Sequence, residues 1–220
     1  MSGPVGILGG TFDPIHYAHL RLGEELAERV GLTEVRFVPA RVPPHRATPN
    51  VTAEHRLEMT RLATVGNPRF NVDDRECRRQ GPSYTIDTLH ELRAELGPAR
   101  PLCLLMGVDA YLGLTTWSRW LQLYEVAHMV VAHRPGFALE TRSMPEELAQ
   151  QTVPRLAANA QALHREPGGL VLSVDIPSLD ISATVIRALI GAGHSARYLL
   201  PEDVLDYIGR NRLYKDFDAD

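Results

Sequence analysis

Short apolar runs alternate with amphipathic segments along most of the chain. Val5–Leu8 is unbroken by charge, the pattern of a strand buried on both faces, and it stops at Gly9-Gly10. Between residues 17 and 30, Leu20, Leu22, Leu26, Ala27 and Val30 recur at roughly helical spacing with charges between them. Val35–Val38 predicts a second strand, and the ten residues that follow from Arg41 hold three prolines and predict a loop. Thr52 predicts an N-cap ahead of a helix over Ala53–Val65. Beyond it come a weak strand at Phe70–Val72, a helix at Tyr84–Leu96, a strand at Leu102–Met106, a mostly helical Tyr111–Leu123 and a strand at Met129–Ala132.

Strand and helix thus alternate regularly, as a parallel sheet requires, because each parallel crossover needs a returning element. The expected fold class is α/β, a doubly wound parallel sheet in a single domain over residues 1–220. The pattern blurs from Pro135 to Gly169, where Pro145, Pro154 and Pro167 bracket a polar, Ala/Gln-rich stretch. Residues 135–169 therefore read as a helical excursion. A last strand is expected at Leu170–Val174. A small C-terminal helical part over 182–220 then begins with Ala183–Ile190, closed by Gly191 and Gly193, and ends with Pro201–Asn211. Pro201 suits a first turn, where its missing N–H costs nothing.

Composition narrows the function classes. Hydrophobic residues at 44% and charged residues at 23% are globular values, and 23 basic against 27 acidic side chains give a net charge of −4. That balance argues against a nucleic-acid-binding face. No apolar run reaches the roughly 18 residues that cross a bilayer, and the first residues lack a basic segment ahead of an apolar one. Neither membrane insertion nor secretion is expected. Cys77 and Cys103 form no CxxC pair and read as reduced thiols of a cytoplasmic protein.

In open α/β sheets, ligands bind beyond the carboxyl ends of the strands. The first such end here is Gly9-Gly10-Thr11-Phe12-Asp13-Pro14-Ile15-His16-Tyr17-Ala18-His19. Two glycines let backbone approach backbone or ligand, and the helix start behind them offers N–H groups to a phosphate. Neither GxGxxG nor the phosphate-loop motif is present. His16 and His19, three apart, project from one face of the first turn and can donate to phosphate oxygens, which in turn favour the protonated imidazoles. Alone, the pair reads more readily as a cap near Ile15 or a surface residue. Zinc is disfavoured, because the spacing differs from HExxH and no third ligand is evident, so no protein metal ligands are expected. At the other end of the chain, Ser182 can cap a helix, Ser182 and Thr184 offer hydroxyls, and Arg187 adds a planar cation suited to phosphate.

The stretch GGTFDPIHYAHL resembles the GGTFDPIHxGHL signature, and ISATVIR the ISSTxIR signature, of the nucleotidyltransferases with the (H/T)xGH motif. Within that group the chain is most similar to the bacterial nicotinate-mononucleotide adenylyltransferases. Pro43-Pro44-His45-Arg46 resembles their PPHK, Pro82–Leu89 their PSYTIDTL, and Gly107-Val108-Asp109-Ala110 with Trp117-Ser118-Arg119-Trp120 their GxDa…W..W segment. Tyr198–Ile208 resembles their C-terminal tail, so the likeness spans nearly the whole chain.

The resemblance implies a Rossmann-like nucleotidyltransferase fold and transfer of AMP from ATP to nicotinate mononucleotide, giving deamido-NAD and pyrophosphate in NAD biosynthesis. It further implies that His16, His19 and Arg187 serve catalysis. Gly9, Gly10, Thr11 and Phe12 would form the ATP turn; Arg46, Gly107, Asp109, Ser182 and Thr184 would also bind ATP. His45, Tyr84, Thr85, Asp109, Trp117 and Arg134 would bind the mononucleotide, with Trp117 alternatively a core residue and Trp120 left as core. Mg²⁺ would arrive chiefly through the ATP phosphates. Three departures stand out: Ala18 for the glycine of HxGH, Ala183 for the second serine of ISSTxIR, and Arg46 for lysine. None removes an indispensable group. The competing readings are adenylyl transfer to nicotinamide mononucleotide or phosphopantetheine, and a non-catalytic nucleotide sensor. N–H donors with local positive potential favour the acid over the amide.

Overall fold

The computed structural model describes residues 3–44, 48–134, 144–177 and 179–215. Six strands form one parallel sheet. They are β1 (Val5–Gly10), β2 (Glu34–Pro39), β3 (Phe70–Val72), β4 (Leu102–Gly107), β5 (His128–His133) and β6 (Val171–Asp175), in the order β3-β2-β1-β4-β5-β6. The expected doubly wound sheet is therefore present, and β1 stands where the order reverses, the place at which such sheets bind ligands. The helices are α1 (Tyr17–Val30), α2 (Ala53–Thr64), α3 (Arg75–Arg78), α4 (Thr85–Leu96), α5 (Val108–Leu112), α6 (Trp120–Val126), α7 (Glu146–Thr152), α8 (Ala183–Gly191) and α9 (Glu202–Arg210).

Three local expectations need correction. β1 does not stop before Gly9-Gly10 but runs through both, and the Gly10 carbonyl accepts from the Ala40 N–H at 2.9 Å. The helix expected over 111–123 is broken into α5, a 3-10 turn at Leu114–Thr116, and α6. Gly113 caps α5 and Arg119 precedes α6 at φ 52, a left-handed conformation that no continuous helix contains. α3 was not expected; four residues are too few for a periodic signal.

The chain divides into two compact units. The first comprises Met1–Leu8, Leu22–Arg36 and Tyr84–Ser178. Its centre is β4 and β5, in register from Cys103↔His128 to Gly107↔Ala132, with Leu104, Leu105, Met129, Val130 and Val131 buried. Burying such a side chain contributes about 1.5–3 kcal/mol. Gly6 lies so close to this layer that a Cβ would meet Leu32 at 2.7 Å and Leu105 at 2.9 Å. The Tyr111 hydroxyl joins Tyr124 at 3.1 Å and Thr152 at 2.7 Å, linking α5, α6 and α7. Within the stretch read as an excursion, α7 is followed by 3-10 turns at Val153–Arg155 and Ala160–His164; residues 135–143 lie outside the described residues.

The second unit comprises Gly9–Arg21, Phe37–Ser83 and Leu179–Asp220. Phe12, Phe37 and Phe70 stack in series at its core, with ring centroids 6.0 and 4.9 Å apart. α2 packs on α9, where His55 Nδ1 and the Tyr207 hydroxyl meet at 2.9 Å. Both cysteines are unpaired, and burial pushes the Cys103 thiol up to about 12, so it stays protonated.

Candidate active site

The turn after β1 is shaped by its two glycines in different ways. A Cβ on Gly10 would meet the Phe12 ring at 2.6 Å, whereas one on Gly9 would meet nothing within 4 Å. Gly10 thus makes room for Phe12, and Gly9 faces open space. Phe12 sits at φ 49, a strained conformation for an aromatic residue, with its ring buried and edge-on to His19 at 5.0 Å. The Phe12 side chain belongs to the core.

His16 and His19 stack with centroids 3.8 Å apart. His19 Nδ1 accepts from the His16 backbone N–H at 3.3 Å, and the His16 carbonyl accepts from the His19 and Leu20 N–H groups. This is the return half of a capping box, with an imidazole in the place of the usual Glu or Gln. It fixes the neutral His19 tautomer with its proton on Nε2. His16 is only 5% exposed, and its Nδ1 is buried with no hydrogen-bond partner. Burial lowers its pKa to about 4, so the ring is neutral at pH 7.

The C-terminal motif arrives at the same turn. Ser182 caps α8, its Oγ accepting from the Val185 N–H at 3.2 Å, as expected for that residue. Thr184 is exposed, and its Oγ1 accepts from Arg187 Nη2 at 3.3 Å. Arg187 Nη1 donates to the Asp13 backbone carbonyl at 2.7 Å. One hydrogen bond therefore joins the GGTFDPIH turn to the ISATVIR helix.

Sequence reasoning passed over the groups that hold this junction. The Asp13 side chain, 5% exposed, accepts at Oδ1 from the Tyr214 hydroxyl at 2.8 Å. At Oδ2 it accepts from the Asn50 backbone N–H at 2.8 Å and from Asn50 Nδ2 at 3.2 Å. Arg56, 1% exposed, donates to the carbonyls of Thr11 at 2.6 Å, Ala40 at 2.5 Å and Arg41 at 3.0 Å. Burial depresses the Arg56 pKa and the Asp13 charge opposes that shift. Asp13 lies inside the GGTFDPIH motif; for Arg56 and Tyr214 the sequence carries no signal.

Of the residues expected around the acceptor, Tyr84, Thr85, Asp109, Trp117 and Arg134 belong to the first unit. Tyr84 is the N-cap of α4 and makes no side-chain cap bond, and Thr85 opens the helix. Gly107 ends β4 and precedes α5, and a Cβ there would meet nothing within 4 Å. Asp109 is exposed in the first turn of α5, whose N-cap position is held by Gly107. Arg134 is exposed just beyond β5, next to β4. Trp117 is half-buried after the 3-10 turn, and Trp120, expected in the core, is also half-buried, edge-on to Tyr124. His45 and Arg46 lie outside the described residues.

A Cytidylyltransferase-like family model matches residues 7–189. A protein of Dechloromonas aromatica, named "Probable nicotinate-nucleotide adenylyltransferase", is 50% identical over 98% of this chain and its own full length. A protein of the same name from Halorhodospira halophila is 53% identical over 91% of this chain and 90% of its own. Among solved structures, the Plasmodium falciparum nicotinic acid mononucleotide adenylyltransferase complexed with NaAD superposes with a TM-score of 0.72 at 19% identity. The match covers 97% of this chain and 98% of that one, a likeness of fold. The chain belongs to the cytidylyltransferase-like family and, within it, to the nicotinate-nucleotide adenylyltransferases.

Proposed function

We propose that this chain transfers AMP from ATP to nicotinate mononucleotide. An oxygen of the mononucleotide 5′-phosphate attacks the α-phosphorus of ATP in line, and the bond from that phosphorus to the bridging oxygen breaks. Nicotinate adenine dinucleotide forms and pyrophosphate leaves with the bridging oxygen and its electron pair. Such a reaction needs no protein nucleophile; alignment of two anions and stabilisation of the leaving charge suffice.

The observation that carries this reading is the hydrogen bond from Arg187 to the Asp13 carbonyl, which sets a guanidinium beside the histidine-bearing turn. His16 and His19 donate to the triphosphate, and Arg187 with Ser182 and Thr184 takes the β/γ side, where charge grows as pyrophosphate departs. Open space over Gly9 and the unpartnered Nδ1 of His16 support a phosphate group there. Tyr84, Thr85, Asp109, Trp117 and Arg134 hold the acceptor, with Asp109 and Gly107 also serving ATP; His45 and Arg46 take the roles their motif implies. Mg²⁺ enters on the ATP phosphates and neutralises their charge. Phosphate and water oxygens supply its ligands. Among the described residues no helix is long and apolar enough to cross a membrane. The reaction is placed in the cytoplasm, where ATP is at hand and unpaired thiols stay reduced.

Purified protein incubated with Mg·ATP and either nicotinate or nicotinamide mononucleotide tests the substrate directly. The acid is expected to give pyrophosphate and dinucleotide in equal amounts and to turn over faster than the amide. Faster turnover of the amide overturns the acceptor assignment, and no product from either overturns the reaction.

A further inference from the structure

Asp13 collects four hydrogen bonds from three distant parts of the chain. Its carboxylate takes the Tyr214 hydroxyl on one oxygen and the backbone and side chain of Asn50 on the other. Its own carbonyl takes Arg187. The Tyr214 ring is 6% exposed and its hydroxyl bond to Asp13 is buried, so water does not compete for it. Burial, reinforced by the Asp13 charge, holds the phenol well above its ordinary pKa, so it remains a donor at every working pH. Phe12 and Tyr214, one beside Asp13 and one bonded to it, both adopt positive φ, 49° and 63°. Bulky residues hold such conformations only where their surroundings over-determine them.

We propose that Tyr214 is a positioning residue for adenylyl transfer. By fixing the Asp13 carboxylate, it fixes the peptide whose carbonyl aims the Arg187 guanidinium. Asn50 works from the other carboxylate oxygen in the same way. Neither touches substrate. This inference rests on the adenylyl-transfer reading, because it gives Arg187 the triphosphate as its target.

Tyr214→Phe removes one hydroxyl and keeps the ring, so it tests positioning with little change in packing. A bond to a charged partner is lost, and Mg·ATP affinity is expected to fall about tenfold. The KM for nicotinate mononucleotide is expected to stay unchanged. Asn50→Ala, which keeps the backbone donor, is expected to give a smaller loss. The decisive measurement is a double-mutant cycle on the Mg·ATP dissociation constant, with Arg187→Ala as the second change. If Tyr214 acts through Arg187, Tyr214→Phe has almost no effect once Arg187 is gone. Losses that multiply overturn the proposal, as does a Tyr214→Phe variant that is merely less heat-stable with unaltered ATP affinity. Wild-type turnover measured alongside separates the two ideas: ATP binding with the expected coupling but no product from nicotinate mononucleotide sinks the function and spares the positioning.

Discussion

Arg187 and Asp13 stand 174 positions apart in sequence and meet at 2.7 Å, guanidinium on backbone carbonyl. The contact spends only Nη1, and Nη2 reaches Thr184, whose hydroxyl lies at the exposed start of α8. A guanidinium pinned along one edge approaches an anion with a fixed orientation, which a flexible ammonium cannot match.

Arg187→Ala is expected to lower kcat by about 10²–10³-fold, the scale for removing a donor aimed at developing charge. Arg187→Lys is expected to recover little of it, since lysine lacks the fork that binds Asp13 and phosphate together. Steady-state pyrophosphate release checks both, and near-normal rates in the lysine variant would remove the geometric role.

His19 does two separable things. Its Nδ1 caps α1 through the His16 N–H, and its Nε2 is assigned to phosphate. His19→Ala is expected to lose activity by orders of magnitude and about 1 kcal/mol of stability with the cap. His19→Gln offers an acceptor to the cap but no imidazole, so melting temperature is expected to recover while activity does not. Recovery of both by glutamine would reduce His19 to a structural cap.

His16 predicts a pH dependence of stability. Its folded pKa of about 4 lies below the 6.5 of an unperturbed histidine, so the unfolded chain binds a proton that the folded chain refuses. The stability difference is fully in hand above pH 6.5 and is lost as pH falls from 6.5 toward 4. The loss amounts to about 3 kcal/mol at most. Thermal unfolding of wild type and His16→Asn across that window is expected to show a shallower decline in the variant. Parallel declines would mean that His16 is not buried as a neutral ring.

The two glycines that end β1 give opposite expectations. Gly10→Ala drives a Cβ into the Phe12 ring and is expected to destabilise by about 1–3 kcal/mol. Gly9→Ala meets no protein atom, so its stability is expected to stay within about 0.5 kcal/mol of wild type while the KM for ATP rises. Calorimetry and kinetics on the pair check this. An unaltered ATP KM in Gly9→Ala would clear the nucleotide from that space.

Much of the framework was legible in the chain itself. The central strands β1, β4 and β5 came from apolar runs, because a strand buried on both faces leaves a continuous hydrophobic stretch, whereas β3, with Asn71 exposed, gave only a weak signal. Ser182 was readable as a cap because its hydroxyl serves the turn immediately after it. The supports of the site were not readable. Arg56 sits on a helix among other charged residues, and nothing local distinguishes a cation that will be buried against four carbonyls from one left in water. Tyr214 reaches Asp13 across 201 positions, a pairing that only the folded chain creates. Phe12 illustrates the converse: its motif marked the turn correctly, yet its ring turns inward because Gly10 leaves it room.

A crystal structure with a non-hydrolysable ATP analogue and Mg²⁺ tests the convergence most directly. The expected result is one triphosphate within hydrogen-bond distance of an imidazole of His16 or His19 and of the Arg187 guanidinium together. A triphosphate that contacts only one of these two ends of the chain, or binds elsewhere, would contradict it.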